Sequence, residues 1–217
     1  MSSTNTSDKN LADVEEGKDS IAFFYIFFGV ALFLPYSLYV VVSNNPAALG
    51  GFAYHPPLGA IALSAMAYGI SALQPARKPD GVEKALDLHG FFIGLVAVPL
   101  VLISGTIMYQ RKEDRGQPHY VSWHGIVGIT TVLLAFIQAI FGVLLSWGYL
   151  PRKLYRYHRQ SGYAVFTILV LAFMLGGLYS NFIVRHAWTA TRFLAYGLGP
   201  LSVWGGVVAR IRSRKLW

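Results

Sequence analysis

A chain of 217 residues in which 54% are hydrophobic and only 13% charged falls well below the roughly 25% charged content of a soluble domain. It has no cysteine, which excludes disulfides and thiolate metal sites. The net charge of +8 would suit a polyanionic partner such as nucleic acid, but its distribution along the chain argues against one.

Residues 1–20 are polar and slightly acidic, with Asp8, Asp13, Glu15, Glu16 and Asp19 against Lys9 and Lys18. Such a composition predicts a disordered tail. It lacks the basic start and small-residue cleavage site of a signal peptide, so the first apolar run is expected to remain as an anchor. Charged side chains are then absent from Ser20 to Ala76, Leu88 to Gln110, Gly116 to Pro151, Gln160 to Val184 and Phe193 to Ala209. A membrane helix needs about 17–25 such residues. The first window holds two helices, separated by the turn formers Asn44, Asn45, Pro46, Gly50 and Gly51.

The predicted spans are 21–43, 53–74, 88–110, 122–147, 160–184 and 190–210, with a basic tail at 211–217. In the last and shortest span, Arg192 and Arg210 are expected to snorkel to opposite interfaces. Pro35, Pro99 and Pro200 fall inside spans and read as kinks. The runs are continuously apolar without a period of two, which excludes a closed β-barrel. The fold class is therefore an all-α membrane protein of six transmembrane helices, with residues 21–210 as one domain.

Six spans put alternate loops on opposite faces. With the N-terminus inside, one face carries Lys9, Lys18, Arg77, Lys78, Lys84, Arg152, Lys153, Arg156, Arg159, Arg210, Arg212, Arg214 and Lys215. The other carries Arg111, Lys112, Arg115, Arg185 and Arg192, so all 18 basic residues divide 13 against 5. Basic residues favour the cytosolic side, which predicts that both termini are cytosolic. The basic excess then reports topology and a lipid bilayer, and no nucleic acid is implied.

His55, His89, His124 and His158 each stand where an apolar span begins. Successive spans run in opposite directions, so His55 and His124 fall near one face and His89 and His158 near the other. A lone interfacial histidine is commonly a polar residue satisfied by a carbonyl or water; four at consecutive helix starts suggest two stacked pairs. Gly59, Gly128 and Gly162 follow His55, His124 and His158 by four residues, and Gly94 follows His89 by five. Residues four apart share a helix face, so each imidazole has a residue without a side chain about one turn deeper. Those glycines could admit a flat cofactor edge-on, or serve close helix packing.

Paired axial histidines are one way to hold haem iron, and the missing cysteines leave only non-covalent attachment. The expectation is two bis-histidine b haems in a central four-helix bundle formed by the second to fifth helices, with His55, His124, His89 and His158 as iron ligands. A hydrocarbon core of about 30 Å, with ligands about one 5.4 Å turn inside each edge, puts the irons on the order of 20 Å apart. Six-coordinate iron leaves one-electron, outer-sphere chemistry.

The strings Tyr54-His55-Pro56, Leu88-His89-Gly90, Ser122-Trp123-His124-Gly125 and Leu154-Tyr155-Arg156-Tyr157-His158 resemble the eukaryotic cytochrome b561 family, in its short form without extra domains. The resemblance covers roughly residues 20–210. It implies two non-covalent b haems in the central four helices and oxidation of cytosolic ascorbate. The acceptor it implies, on the lumenal or extracellular side, is the monodehydroascorbate radical or a ferric chelate. It pairs His55 with His124 and His89 with His158, suggests the endoplasmic reticulum or another endomembrane, and leaves a homodimer open. The chain departs from ascorbate-using members, which carry lysines just before the third-helix histidine. Here Val82, Leu86 and Asp87 occupy that turn, with Lys84 the only close lysine.

Candidate ascorbate contacts are Lys84, Arg152, Arg156 and Arg159, which flank His89 and His158. Arg77, Lys78 and Lys153 lie in the same loops. All of these charges would equally serve orientation in the membrane or pair with haem propionates. On the opposite face His119 and Tyr120 precede His124; they could shuttle a proton or hold the acceptor, or be solvated loop residues. Two other readings stay open, a histidine-based proton or metal transporter and a haem-bearing anchor subunit of a quinone-linked complex. Transport normally wants carboxylates at mid-membrane, and the spans contain none.

Overall fold

A computed structural model describes the backbone of residues 6–73 and 79–211 and the side chains of 19–73 and 81–211. Arg77, Lys78, the first five residues and the tail from 212 onward lie outside the described residues. Within them the chain is helical, with no strand.

Helix α1 is Thr6–Val42 and α2 is His55–Ala72. Helix α3 covers 79–113 in three consecutive segments, Pro79–His89, Gly90–Ala97 and Val98–Glu113. Helix α4 is Trp123–Ser146 and α5 is Tyr155–Tyr179. Helix α6 covers 189–209 as Thr189–Phe193, Leu194–Leu198 and Gly199–Ala209. Short one-turn pieces connect α1 to α2 and precede and follow α5.

The helix backbone runs back to Thr6 through the stretch whose composition predicts disorder. Once the apolar part of α1 has nucleated a helix, each further residue adds a hydrogen bond at little cost, and Leu11, Ala12, Glu15, Glu16 and Lys18 are good helix formers.

Four helical segments are long and apolar enough to cross a membrane, namely Asp19–Val42, Gly81–Glu113, Trp123–Ser146 and Arg152–Tyr179. The second and sixth expected spans, α2 and α6, are not among them; for α2 the reason lies in its packing. Helix α2 is rich in Ala, Gly and Ser, and Ala60, Ala62, Leu63, Ala65, Met66, Ala67 and Ile70 are all buried. It is sheathed by α1, α3, α5 and α6, so it needs few of the large apolar side chains that face lipid. Helix α4 is the opposite case. Only 11% of its most apolar window is buried, and Leu133, Phe136, Ile137 and Ile140 point outward.

Two helix hairpins, α2–α3 and α4–α5, form the central bundle, and α1 pairs with α6 beside it. The α1–α6 crossing is at backbone distance. A Cβ on Gly29 would overlap the Gly199 carbonyl, and one on Gly206 would stand 2.6 Å from the Ala22 carbonyl. Small residues at such a crossing let helices meet without side-chain spacers.

Pro99 and Pro200 do not simply kink their helices. Each stands just after a π-helical stretch, Gly90–Ala97 and Leu194–Leu198. Proline offers no N–H to the carbonyl four residues back, and the wider turn re-registers the ladder ahead of it. In α3 that stretch begins directly after His89.

Arg210 does not snorkel to water. Only 3% of it is exposed; its guanidinium donates to the Asp19 carbonyl at 2.9 Å and the Ser71 carbonyl at 3.4 Å, and stacks 4.5 Å over the Phe23 ring. The terminal carbonyls of α2 have no helical partner, and a buried cation satisfies one while tying α1, α2 and α6 together.

Candidate functional site

The two expected histidine pairs form across the hairpins. The rings of His55 on α2 and His124 on α4 have centroids 5.9 Å apart at 75°. Those of His89 on α3 and His158 on α5 are 6.3 Å apart at 83°. Imidazole nitrogen binds first-row metals at about 2.0–2.1 Å, so two trans imidazoles on one ion have centroids on the order of 6 Å apart. Both pairs meet that spacing.

Each ring is also oriented. The Nδ1 atoms lie 3.1 Å from the Ser104 carbonyl for His55, 3.1 Å from the Gly69 carbonyl for His89 and 2.8 Å from the Ala172 carbonyl for His124. A carbonyl only accepts, so Nδ1 carries the proton in these three and Nε2 keeps its lone pair. That is the tautomer a metal requires, and such a hydrogen bond raises ligand basicity. The Ser104 hydroxyl adds a second contact, 2.8 Å from Nδ1 of His55, while donating to the His55 carbonyl at 3.3 Å. His158 differs. Its Nδ1 lies 3.1 Å from the Gln138 side-chain amide.

These braces are reciprocal within each hairpin. Helix α2 offers Gly69 to His89 on α3, and α3 offers Ser104 to His55 on α2. Helix α4 offers Gln138 to His158 on α5, and α5 offers Ala172 to His124 on α4. On α2, α4 and α5 the brace lies 14 residues from that helix's own histidine. At 1.5 Å per residue this separates the two sites by about 21 Å along the helices, the span expected from bilayer thickness.

A second set of glycines seats the rings themselves. The rings of His124 and His158 rest on Gly176 and Gly142, where a Cβ would lie 2.6 Å and 2.9 Å from a ring carbon. Of the four glycines noted one turn beyond the histidines, Gly162 seats the Gln138 amide, 3.0 Å from its would-be Cβ. Gly59 lines a cleft, with Phe173 3.8 Å away, whereas Gly94 and Gly128 have no atom within 4 Å of a would-be Cβ.

That cleft opens beside His55 and His124. It holds about 490 Å³ of atom-free space, continuous with the outside, and is lined by Phe52, Phe173, Phe182 and Tyr196 among others. Its largely apolar walls are of the kind that line cofactor sites. Phe52 lies nearly parallel to the His55 ring, 6.1 Å away at 25°. Arg111 stands 5.0 Å over Phe52 and donates to the Leu49 carbonyl at 2.7 Å, which brings a cation to this end.

The donor set fits haem better than a protein-only metal site. Among the described residues no group of three or more His, Cys, Asp or Glu converges. A pair of imidazoles is a donor set that would suit an iron already held by a porphyrin.

The substrate candidates separate by environment. Lys84 and Arg152 are exposed. Arg156 is engaged with its neighbour Tyr157, its guanidinium 4.6 Å over that ring and 2.6 Å from the hydroxyl. Arg159, adjacent to His158, is half-buried, and its Nε is buried without a hydrogen-bond partner. On the other face His119 bonds Glu113 at 2.7 Å and stacks on Tyr109 at 4.5 Å. Tyr120 is exposed and adopts a left-handed φ of 55°, a conformation uncommon outside glycine.

The sequence profile described as eukaryotic cytochrome b561 matches residues 61–184. It takes in His89, His124 and His158 and stops short of His55, which the geometry adds. The chain is 29% identical over 154 residues to "Transmembrane reductase CYB561D2" of Bos taurus, covering 66% of this chain and 65% of that protein. Its identity to the Homo sapiens protein of the same name is 29% over 153 residues, 66% of this chain and 68% of the relative. The matched stretch is thus just under two thirds of the bovine protein's length. No solved structure is significantly similar.

Proposed function

We propose a function from one premise: this chain belongs to the eukaryotic cytochrome b561 family, and it is a multi-pass membrane protein. It carries single electrons across the bilayer, from cytosolic ascorbate to monodehydroascorbate or ferric iron on the lumenal or extracellular face. The observation that carries the reading is the cross-hairpin pairing of His55 with His124 and His89 with His158 at 5.9 and 6.3 Å.

When bound, a b haem supplies a one-electron iron couple. His55 and His124 would hold one, and His89 and His158 the other. Ser104, Gly69 and Ala172 keep the Nδ1 protons of three of these rings in place, so Nε2 is free to ligate. With two histidines at each site, the protein would move electrons without binding oxygen or substrate at the metal. The separation of about 21 Å along the bundle is why two sites serve and one would not.

Ascorbate is an anion at neutral pH, and Lys84, Arg152, Arg156 and Arg159 cluster on the elements leading into His89 and His158. Arg159 has an Nε with unused hydrogen-bonding capacity, and is the foremost candidate to receive ascorbate or a haem propionate. His119 and Tyr120 stand at the opposite end, beside His124, where the acceptor would dock. Both termini face the cytosol, and the membrane is that of the endoplasmic reticulum or a related compartment.

Two measurements test this. The purified protein should contain two haems per chain with a reduced-minus-oxidised spectrum of b type; none or one overturns the reading. Vesicles containing the protein and trapped ferricyanide should reduce the dye when ascorbate is added outside. Proton or metal movement without dye reduction would favour a transporter.

A further inference from the structure

Three of the four imidazoles are braced by backbone carbonyls and the fourth is not. At the place in α4 that corresponds to Gly69 in α2 and Ala172 in α5, a long side chain does the work. The Gln138 amide nitrogen lies 3.1 Å from Nδ1 of His158 and 2.5 Å from the His158 carbonyl. Its oxygen accepts from the Ser161 hydroxyl at 2.9 Å, and that hydroxyl also donates to the Tyr157 carbonyl at 2.7 Å. Gly162 makes room for the amide, since a Cβ there would press on it at 3.0 Å.

Gln138 is an amide in an otherwise apolar stretch of α4, Leu133 to Leu145. Burying an amide without partners is unfavourable. Here every partner is at the His158 end of α5, so a cost that α4 could have avoided with leucine is offset only at this one site.

We propose that Gln138, held by Ser161 and seated against Gly162, is the positioning residue for His158, and that it makes the His89–His158 haem site electronically distinct from the His55–His124 site. This rests on the haem reading above. A backbone carbonyl offers an imidazole one invariant acceptor, whereas a carboxamide presents an oxygen and an NH2 group and can be exchanged by mutation without moving the helix. Hydrogen bonding at the non-ligating nitrogen tunes both ring orientation and the potential of the metal. Gln138 is therefore a side chain through which the potential of the His89–His158 site is set independently of the other.

The test uses full-length protein in detergent, with haem counted and both midpoint potentials read by spectroelectrochemical titration. The sites are assigned by repeating the titration in a His55→Ala background, where the His89–His158 site remains. Gln138→Glu offers a carboxylate acceptor and should lower the midpoint of the His89–His158 haem, leaving the other in place. Gln138→Leu removes the amide's contact with Nδ1, and should shift the same midpoint alone and alter its ferric low-spin electron paramagnetic resonance signal. Gly162→Ala, which crowds the amide without removing it, should shift that midpoint by less. If neither midpoint moves in the Gln138 variants, or both move together, the inference is overturned. Absence of haem from the wild-type protein would overturn the haem reading instead, so the two failures are distinguishable.

Discussion

The two histidine pairs are built to one plan but finished differently. The His55–His124 end is braced wholly by main chain plus the Ser104 hydroxyl. It is roofed by aromatic rings from Phe52 and Phe182, which meet at 4.9 Å, and Arg111 stands over that roof. The His89–His158 end trades one carbonyl for a glutamine, and Phe141 meets the His158 ring edge-on at 5.5 Å. Helix geometry therefore sets where both pairs stand, while side chains decide how alike they are. One end is held mainly by main-chain carbonyls; the other leans on a replaceable side chain.

The largest test of that contrast removes ligands. His55→Ala and His124→Ala should each lower the haem count from two to one by losing the same haem, and His89→Ala and His158→Ala should lose the other. Absorbance difference spectra would show it, and loss of both haems from any single variant would mean the ends are not separable.

Crowding the rings should do nearly as much. Gly176→Leu drives a side chain into His124, and Gly142→Leu drives one into His158. Each should deplete only the haem at its own end, seen as a change in spectrum at constant protein yield.

A smaller effect is expected at the edge of the His89–His158 end. Arg210→Ala strips the Ser71 and Asp19 carbonyls of a buried charged donor, worth roughly 1.5–3 kcal/mol for a hydrogen bond to a charged group. The variant should melt earlier in a thermal-shift assay and retain both haems at low temperature.

Ser104→Ala should be subtler still. It removes one of two contacts on Nδ1 of His55 and leaves the carbonyl. A neutral hydrogen bond worth about 0.5–1.5 kcal/mol corresponds to at most about 20–60 mV for a one-electron couple. Only the His55–His124 midpoint should move. Least of all, His119→Gln should leave haem count and both potentials unchanged, and alter only the rate of electron delivery to an added acceptor.

The pairing of the histidines was legible in the chain because it follows from arithmetic. Helix starts alternate between faces, so residues at the starts of the second and fourth helices must share an end. The braces were not legible. Ser104 is 49 residues from His55 and Gln138 is 20 from His158, and nothing local marks either as a partner of an imidazole. The glycines that seat the imidazole rings, Gly142 and Gly176, were not legible either, because they lie on the opposing helix of the hairpin and not one turn beyond each histidine. The burial of Arg210 escaped for a related reason, since a charged residue at a span's end is equally consistent with reaching water. Likewise Pro99 and Pro200 signalled a disturbance but could not say that it would be a π-helical stretch.

The reciprocal bracing has a consequence for assembly. Because α4 carries a ligand for one site and a brace for the other, and α5 does the same in reverse, the hairpin behaves as a gauge read at both ends. A slip of α4 past α5 by one turn, about 5.4 Å, would pull His124 from Ala172 and Gln138 from His158 together. A half-registered hairpin therefore spoils both sites, and a correctly registered one prepares both. Loading at either end therefore holds the hairpin in the register that the other end needs, while each end keeps its own ligands and can be emptied alone.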